Sequence, residues 1–181
     1  MNDILSPEKI AQEGSTAYQS GRFAEAAQFF EQAARGYDAA GQQLPAAEAR
    51  NNASVAFSKA GEAGEAFRVV QGTAEVFAAS GDIRRQGIAY ANLASALEDL
   101  GKLDEALERY EQSSDLLRQT GEKEMRAVVL KSISALQIRT GRQFQALASM
   151  DSALENQPRL SLREKLLHKL LRVPLDMLRR R

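Results

Sequence analysis

The sequence predicts an all-α fold in which four helix pairs stack into a solenoid and a final helix covers its end. The main observation is a series of glycines spaced 40 residues apart, Gly21, Gly61, Gly101 and Gly141. A second series has the same spacing and is offset by about half a period: Gly41, Gly81 and Gly121. An alanine preceded by Glu or Gln stands five residues after each member of the first series, at Ala26, Ala66, Ala106 and Ala146. A constant period of this length is typical of stacked helical repeats, whereas an irregular helical bundle would not produce it.

The segments between the glycines have the composition of helices. Each is about 15–18 residues long and rich in Ala, Leu, Glu, Gln and Arg, which are good helix formers. Because glycine adopts the left-handed conformation that ends a helix, we expect one series to close the first helix of each pair and the other series to close the second. Ser6 followed by Pro7 predicts the start of the first helix, and Asp104 is the expected N-cap of the helix after Gly101.

The four alanines of the first series mark the expected crossing points of the helix pairs. A small residue at the same place in every repeat allows two helix backbones to approach closely. A larger side chain at Ala106, for example, would overpack the pair.

Composition excludes several classes of function. The 181-residue chain has no cysteine and a single histidine, His168, which we place on a solvated basic helix face. It therefore offers no thiol nucleophile, no catalytic triad and no Cys/His zinc set. No glycine-rich phosphate loop motif is present. The sequence predicts a non-enzymatic protein without a metal or a cofactor.

The sequence shows no sign of export or membrane insertion. The segment from Met1 to Pro7 has neither the basic start nor the apolar core of a signal peptide. No uncharged apolar run reaches the length of about 18 residues that a membrane-spanning helix needs. Together with the missing cysteines, these features predict a cytoplasmic protein.

The stretch from Gly101 to Tyr110, Gly-Lys-Leu-Asp-Glu-Ala-Leu-Glu-Arg-Tyr, resembles the central part of a tetratricopeptide repeat. The resemblance covers four repeats, at about 7–41, 42–81, 82–121 and 122–158, and leaves residues 159–181 as a basic amphipathic capping helix and tail. The 40-residue period is similar to that of the long repeats of kinesin light chain. The resemblance implies a right-handed superhelical solenoid that acts as a protein-interaction scaffold or adaptor. In this family the first helices line a concave groove that holds a peptide or a partner helix.

The groove residues are predicted from matched positions in the first helices. Gln12, Asn52, Asn92 and Ser132 stand at the same point of successive repeats, and Asn51, Ser95 and Lys131 flank them. Asparagine is a poor residue for a helix interior, and its amide both donates and accepts hydrogen bonds. Asn52 and Asn92 are similar to the asparagine ladder with which long tetratricopeptide arrays grip a peptide main chain. Alternatively, these amides link neighbouring repeats or face water. A cluster of basic residues would bias the groove towards acidic partners, or it belongs to solvated helix ends: Arg50, Arg84, Arg85, Arg126 and Lys131.

The C-terminal region differs from the rest in charge. Residues 159–181 contain eight basic residues against Glu164 and Asp176, a balance of +6, and residues 1–158 therefore carry −6. Ser161 and Glu164 form a capping box that predicts a helix start, and Pro174 predicts its break. Five leucines form one expected stripe: Leu162, Leu166, Leu167, Leu170 and Leu171. Four basic residues are the expected tail contacts: Arg163, Lys165, Lys169 and Arg172.

Two interpretations of this tail remain open. In the first, the leucine stripe caps the last repeat of the solenoid. In the second, the helix lies on an anionic membrane surface, or pairs with a partner or with another copy of the chain. Specific nucleic-acid binding is not predicted, because the tail lacks aromatic residues for stacking and the repeats are acidic.

Overall fold

Ten α-helices and no strands make up residues 6–179, the part of the chain that the computed structural model describes, with side chains described for residues 6–172. Their bounds are Pro7–Gln19 (α1), Phe23–Ala39 (α2), Gln43–Ala60 (α3), Ala63–Val70 (α4), Thr73–Ala79 (α5), Ile83–Asp99 (α6), Leu103–Gln119 (α7), Lys123–Arg139 (α8), Gln143–Glu155 (α9) and Leu162–Arg179 (α10). Each helix packs mainly against its neighbours along the chain, and the first helices α3 and α6 also touch. The prediction of an all-α helical-repeat solenoid is confirmed.

The seven glycines of the two series end the helices that precede them. All have a positive φ between 71° and 80°. At Gly21 the turn is closed by two backbone bonds, from the N–H of Gly21 to the carbonyl of Tyr18 at 3.0 Å and from the N–H of Arg22 to the carbonyl of Ala17 at 2.9 Å. This pattern is a Schellman turn, in which the left-handed residue carries no Cβ penalty when it is glycine. The predicted role of both series is confirmed.

An eighth glycine interrupts the second helix of the second pair. Gly72 has a φ of 77° and separates α4 from α5. The hydroxyl of Thr73, which is 2 % exposed, donates to the carbonyl of Val70 at 2.7 Å and so satisfies a carbonyl that the break leaves open. The expectation of one continuous helix between Gly61 and Gly81 is therefore wrong. The glycine inside a helical segment, preceded by β-branched Val69 and Val70, was the signal in the sequence.

The first residues of the helices show which sequence signals determine where a helix begins. The hydroxyl of Ser6 accepts a hydrogen bond from the N–H of Lys9 at 3.4 Å, so the predicted N-cap of α1 is confirmed. Asp104 is not an N-cap, because α7 already begins at Leu103 and Asp104 lies in its first turn. Every helix that follows a glycine of the two series begins two residues after it. The turn geometry fixes the start, and a capping side chain is not needed there.

The core is built largely from alanine at the crossings of the helix pairs. Ala26, Ala66 and Ala106 are 0 % exposed, and Ala146 is 2 % exposed. A second series of small buried residues, which the sequence reading missed, stands on the first helices with the same spacing of 40 residues: Gly14, Ser54, Ala94 and Ser134. In the fourth pair the contact is direct, because the Ser134 hydroxyl donates to the carbonyl of Ala146 at 2.8 Å. In the first pair a Cβ on Gly14 would lie 3.0 Å from the ring of Phe30.

The last helix, α10, begins at the predicted capping box. The N–H of Ser161 donates to Glu164 Oε2 at 2.9 Å, and the N–H of Glu164 donates to Ser161 Oγ at 3.3 Å. The predicted break at Pro174 is wrong, since the helix runs on to Arg179. A proline removes one backbone donor, and the surrounding turns carry the helix past it. The two remaining predictions, for the segment Met1 to Leu5 and for Arg180 and Arg181, lie outside the described residues.

No helix within the described range is both long and apolar enough to span a bilayer.

Candidate functional site

The predicted groove asparagines take different roles in the structure. Asn92 Nδ2 donates to Asn51 Oδ1 at 3.1 Å, and Asn51 Nδ2 donates to the carbonyl of Ala47 at 3.2 Å. Asn51 is only 6 % exposed, so this chain of bonds is a buried link between α3 and α6. Asn52 points instead to solvent. The matched pair in space is thus Asn51 with Asn92, and Asn52 stands apart from it.

Asn52 lies at the edge of an apolar cleft between α1 and α3. The cleft has a volume of about 300 Å³ and is lined by Ser15, Tyr18, Gln19, Phe30, Asn52 and Val55. The ring of Tyr18 is held edge-on against Phe23, with centroids 5.2 Å apart. The rings of Tyr18 and Phe30 and the side chain of Val55 give this cleft an apolar wall, and the exposed amide of Asn52 lies at its rim.

A second cleft adjoins the first between α3 and α6. It has a volume of about 270 Å³ and is lined by Ser54, Val55, Ser58, Lys59, Asn92, Ser95 and Asp99. Its lining is mixed and carries a cation and a carboxylate among three hydroxyls. Val55 belongs to both clefts, so they form one continuous surface on α1, α3 and α6. We call these two adjoining clefts the first-helix surface.

The remaining predicted groove residues lie outside the two clefts. Gln12 is exposed in the middle of α1, and Lys131 pairs with Glu164 at 3.7 Å. Ser132 is half-buried and approaches the hydroxyl of Tyr110, as does Ser95. The structure therefore brings Asn52, Asn92 and Ser95 onto one surface and leaves Gln12, Lys131 and Ser132 off it.

The buried tyrosine Tyr110 lies next to Ser95, at the edge of the first-helix surface. The Tyr110 hydroxyl donates to Glu98 Oε2 at 3.3 Å. Burial, together with the negative charge of Glu98, raises the pKa of Tyr110 to about 12. Tyr110 is therefore neutral at physiological pH and holds its proton as a hydrogen-bond donor. Sequence reasoning placed Tyr110 in the helical core only, and its spacing carried no signal for this polar role.

Four of the five basic residues near the groove pair with carboxylates within the solenoid, and the fifth, Arg126, has neutral partners. Arg84 pairs with Glu122 at 2.7 Å, Arg85 pairs with Glu48 at 3.7 Å, and Arg50 pairs with Asp38. Arg126 donates to Ser114 and Asn156, each at 3.3 Å. Several ion pairs join residues about one repeat apart: Arg68 with Glu31, Arg84 with Glu122, Arg85 with Glu48, Arg139 with Glu98, and Arg142 with Asp104. The predicted bias towards acidic ligands is offset by these acidic neighbours.

Most of the leucine stripe of α10 is exposed. Leu171 is 7 % exposed, and it is the stripe's only buried member. We call the other four the leucine face: Leu162 (85 % exposed), Leu166 (60 %), Leu167 (39 %) and Leu170 (60 %). Of the predicted tail contacts, Arg172 pairs with Glu155 at 2.9 Å, whereas Arg163, Lys165 and Lys169 are exposed. The helix α10 meets the last repeat along its Glu164, His168 and Leu171 side, as the capping interpretation expects. The leucine face stays exposed, as the second interpretation expects.

His168 is also placed differently from the expectation. Its Nε2 lies 3.2 Å from Asp151 Oδ1, and its side chain is 20 % exposed. It faces α9 because α10 docks through the side that carries Glu164, His168 and Leu171. The prediction that His168 lies on a solvated basic face is therefore wrong.

The chain is similar to a protein family and to several solved structures. The model of the family described as soluble NSF attachment protein, SNAP, matches residues 11–171. Among solved structures, BtubC (BKLC) from P. vanneervenii is similar, with a TM-score of 0.75 and 19 % identity over 86 % of this chain and 68 % of that chain. A putative kinesin light chain from Podosopora anserina with nearly identical TPR-like repeats has a TM-score of 0.67 and 14 % identity over 98 % of this chain and 100 % of that chain.

At these low sequence identities, the similarity to the solved structures concerns the fold. The resemblance to the long tetratricopeptide repeats of kinesin light chain, indicated by the glycine spacing, is thereby confirmed. No curated protein sequence matches the chain.

Proposed function

The chain belongs to the soluble NSF attachment protein family, whose helical-repeat fold is typical of scaffolds that bind proteins, and from that premise we propose a non-enzymatic adaptor. Its ligand is an extended segment of a partner protein, which lies along the first-helix surface. The supporting observation is the exposed amide of Asn52 at the rim of the apolar cleft. Asn51 and Asn92 support the surface from below by tying α3 to α6.

The chemistry of the two clefts favours a particular type of peptide. An amide such as that of Asn52 pairs with a peptide main chain through one donor and one acceptor, whatever the peptide sequence. The apolar cleft, with Tyr18, Phe30 and Val55 in its wall, suits a large aliphatic or aromatic side chain. The second cleft, which carries Lys59 and Asp99, suits a polar side chain further along the peptide. We therefore expect an apolar residue followed or preceded by a polar one.

Selection from a random-sequence peptide library on the full chain tests this proposal. Selected peptides should share one large apolar residue and bind at a single site. Asn52→Ala should weaken their binding by about tenfold, because a hydrogen-bond pair contributes about 1–1.5 kcal/mol. Tyr18→Ala should weaken binding by a similar factor or more, because it removes part of the apolar wall. Isothermal titration calorimetry measures both changes.

Gln28→Ala is the matched control for the groove experiment. Gln28 is an exposed amide on the second helix α2 and lines neither cleft. Its replacement should leave the affinity for selected peptides unchanged. If Asn52→Ala and Tyr18→Ala also leave that affinity unchanged, the peptide-groove proposal is wrong.

The leucine face of α10 supports a second candidate function, attachment to an anionic membrane surface. Arg163, Lys165 and Lys169 are exposed beside it and form no ion pair within residues 6–172. An amphipathic helix that combines exposed leucines with unpaired cations binds anionic lipid through apolar burial and charge attraction together. Exposed leucines alone could equally pack against another copy of the chain. The exposed cations Arg163, Lys165 and Lys169 are the feature that favours an anionic membrane.

Vesicle sedimentation distinguishes these occupants of the leucine face. The double change Leu166→Ser and Leu170→Ser should reduce binding to phosphatidylserine-containing vesicles by about tenfold or more, since each leucine contributes about 1.5 kcal/mol or more on burial. Neutral phosphatidylcholine vesicles should bind wild type weakly. Ile138→Ser is the control, because Ile138 is equally exposed, at 60 %, but lies on α8. The membrane role is ruled out if wild type and the double variant bind vesicles equally. It is also ruled out if wild type forms a dimer in place of binding vesicles and the double variant does not form that dimer.

A further inference from the structure

His168 faces two carboxylates across the contact between the last two helices. It is the only histidine of the chain. Asp151 and Glu155 stand four residues apart on α9, and therefore on one side of that helix. One ligand-capable atom of each of the three residues lies within 4.8 Å of the others. Asp151 is only 7 % exposed, and the His168 side chain is 20 % exposed.

The approach of His168 to Asp151 lacks the geometry of a hydrogen bond. Nε2 of His168 and Oδ1 of Asp151 are 3.2 Å apart, yet each is a buried atom without a hydrogen-bond partner among the described residues. Buried polar atoms are nearly always paired, so two unpaired atoms that face each other favour a partner shared between them. In a tetrahedral site with metal–ligand bonds of about 2.0–2.1 Å, two ligand atoms lie about 3.3 Å apart. The observed separation is close to that value.

We propose that Asp151, Glu155 and His168 bind a divalent transition-metal ion of the Zn²⁺ class. One imidazole nitrogen with two carboxylate oxygens suits Zn²⁺, whereas Mg²⁺ and Ca²⁺ prefer oxygen ligands alone. Three protein ligands leave a fourth position for water. The two carboxylates supply two negative charges, which attract a divalent cation.

Arg172 is the competing cation at this site. Its Nη2 donates to Glu155 Oε1 at 2.9 Å. The side chain of Glu155 is 50 % exposed, so it can turn towards Asp151 and His168 without losing packing. The metal ion then replaces one contact of the guanidinium and binds between α9 and α10. Since the ion joins these two helices, it also fixes the orientation of the leucine face, and this inference is independent of the peptide groove.

Titration of the untagged full chain with ZnCl₂ tests the site. Calorimetry should show one Zn²⁺ per chain, and Co²⁺ in its place should give the visible absorption of a tetrahedral site. His168→Gln and Asp151→Asn should each weaken Zn²⁺ binding by about tenfold or more, because each removes one of three ligands. Zn²⁺ should raise the melting temperature of wild type and should not raise that of His168→Gln.

Two further measurements separate this site from adventitious binding. Asp115→Asn alters an exposed carboxylate that stands four residues from Glu111 on α7 and has no histidine opposite, so it should leave Zn²⁺ binding unchanged. The imidazole proton resonances of wild type belong to His168 alone and should shift on addition of Zn²⁺. The proposal is wrong if His168→Gln binds Zn²⁺ as tightly as wild type, or if wild type shows neither stoichiometric binding nor a shift of these resonances.

Discussion

Replacing Leu136 with alanine is expected to lower the free energy of unfolding by about 2–5 kcal/mol. Leu136 lies on α8 and is 0 % exposed. It belongs to the cluster that also contains Leu97, Leu117 and Ile133. The core around Leu136 is closely packed, so its neighbours can fill the vacated space only in part and a cavity remains. A change of this size is a large part of the total stability of a domain, which is about 5–15 kcal/mol.

Urea unfolding followed by far-ultraviolet circular dichroism measures this loss. Ile138→Ala is the matched control, because Ile138 lies two residues further on the same helix and is 60 % exposed. Its replacement should change the free energy of unfolding by only about 0.5 kcal/mol. Equal losses for the two variants would contradict the position of Leu136 in the core.

Replacing Ala106 with leucine is expected to destabilise the chain by about 1–3 kcal/mol. Ala106 is 0 % exposed on α7 and belongs to the same cluster as Ala94 on α6, which is also 0 % exposed. The bond between Ser134 and the carbonyl of Ala146 shows how closely the two helices approach at the equivalent place in the fourth pair. Three added carbon atoms have no room there and force the two helices apart.

Thermal melting compares Ala106→Leu with Ala24→Leu. Ala24 is exposed on α2, so the same substitution there adds a good helix former without any steric conflict. We expect a clearly lower melting temperature for Ala106→Leu and almost none of that decrease for Ala24→Leu. An unchanged melting curve for Ala106→Leu would contradict the crossing point.

Seven helix ends could be predicted because a left-handed glycine dictates each of them. A left-handed residue closes the helix and also sets the start of the next one, two residues later. The capping role expected for Asp104 failed for this reason, since the turn had already fixed the start at Leu103. The break at Gly72 was missed because the periodic glycines explained the pattern without it.

The candidate site was less predictable, because repeat alignment does not say how one repeat is rotated against the next. Alignment paired Asn92 with Asn52, 40 residues earlier, but the structure pairs it with Asn51, 41 residues earlier. The shift of one residue turns one amide into a buried link and leaves its neighbour exposed. On α10 the leucine spacing showed an apolar stripe, but packing against α9 decides which side of the helix is covered.

The alanines at the helix crossings also determine which mutations the chain tolerates. Alanine has almost no side chain to lose, and its fixation costs no rotamer entropy, so the crossings are rigid without that entropic cost. Among the single-nucleotide changes of an alanine codon that alter the amino acid, all but the change to glycine enlarge the side chain, charge it or introduce proline. We therefore expect these alanine positions not to tolerate larger side chains. The large core residues, such as Leu136, should not tolerate smaller ones. We therefore expect sequence drift in this protein mainly at the exposed positions of the helices.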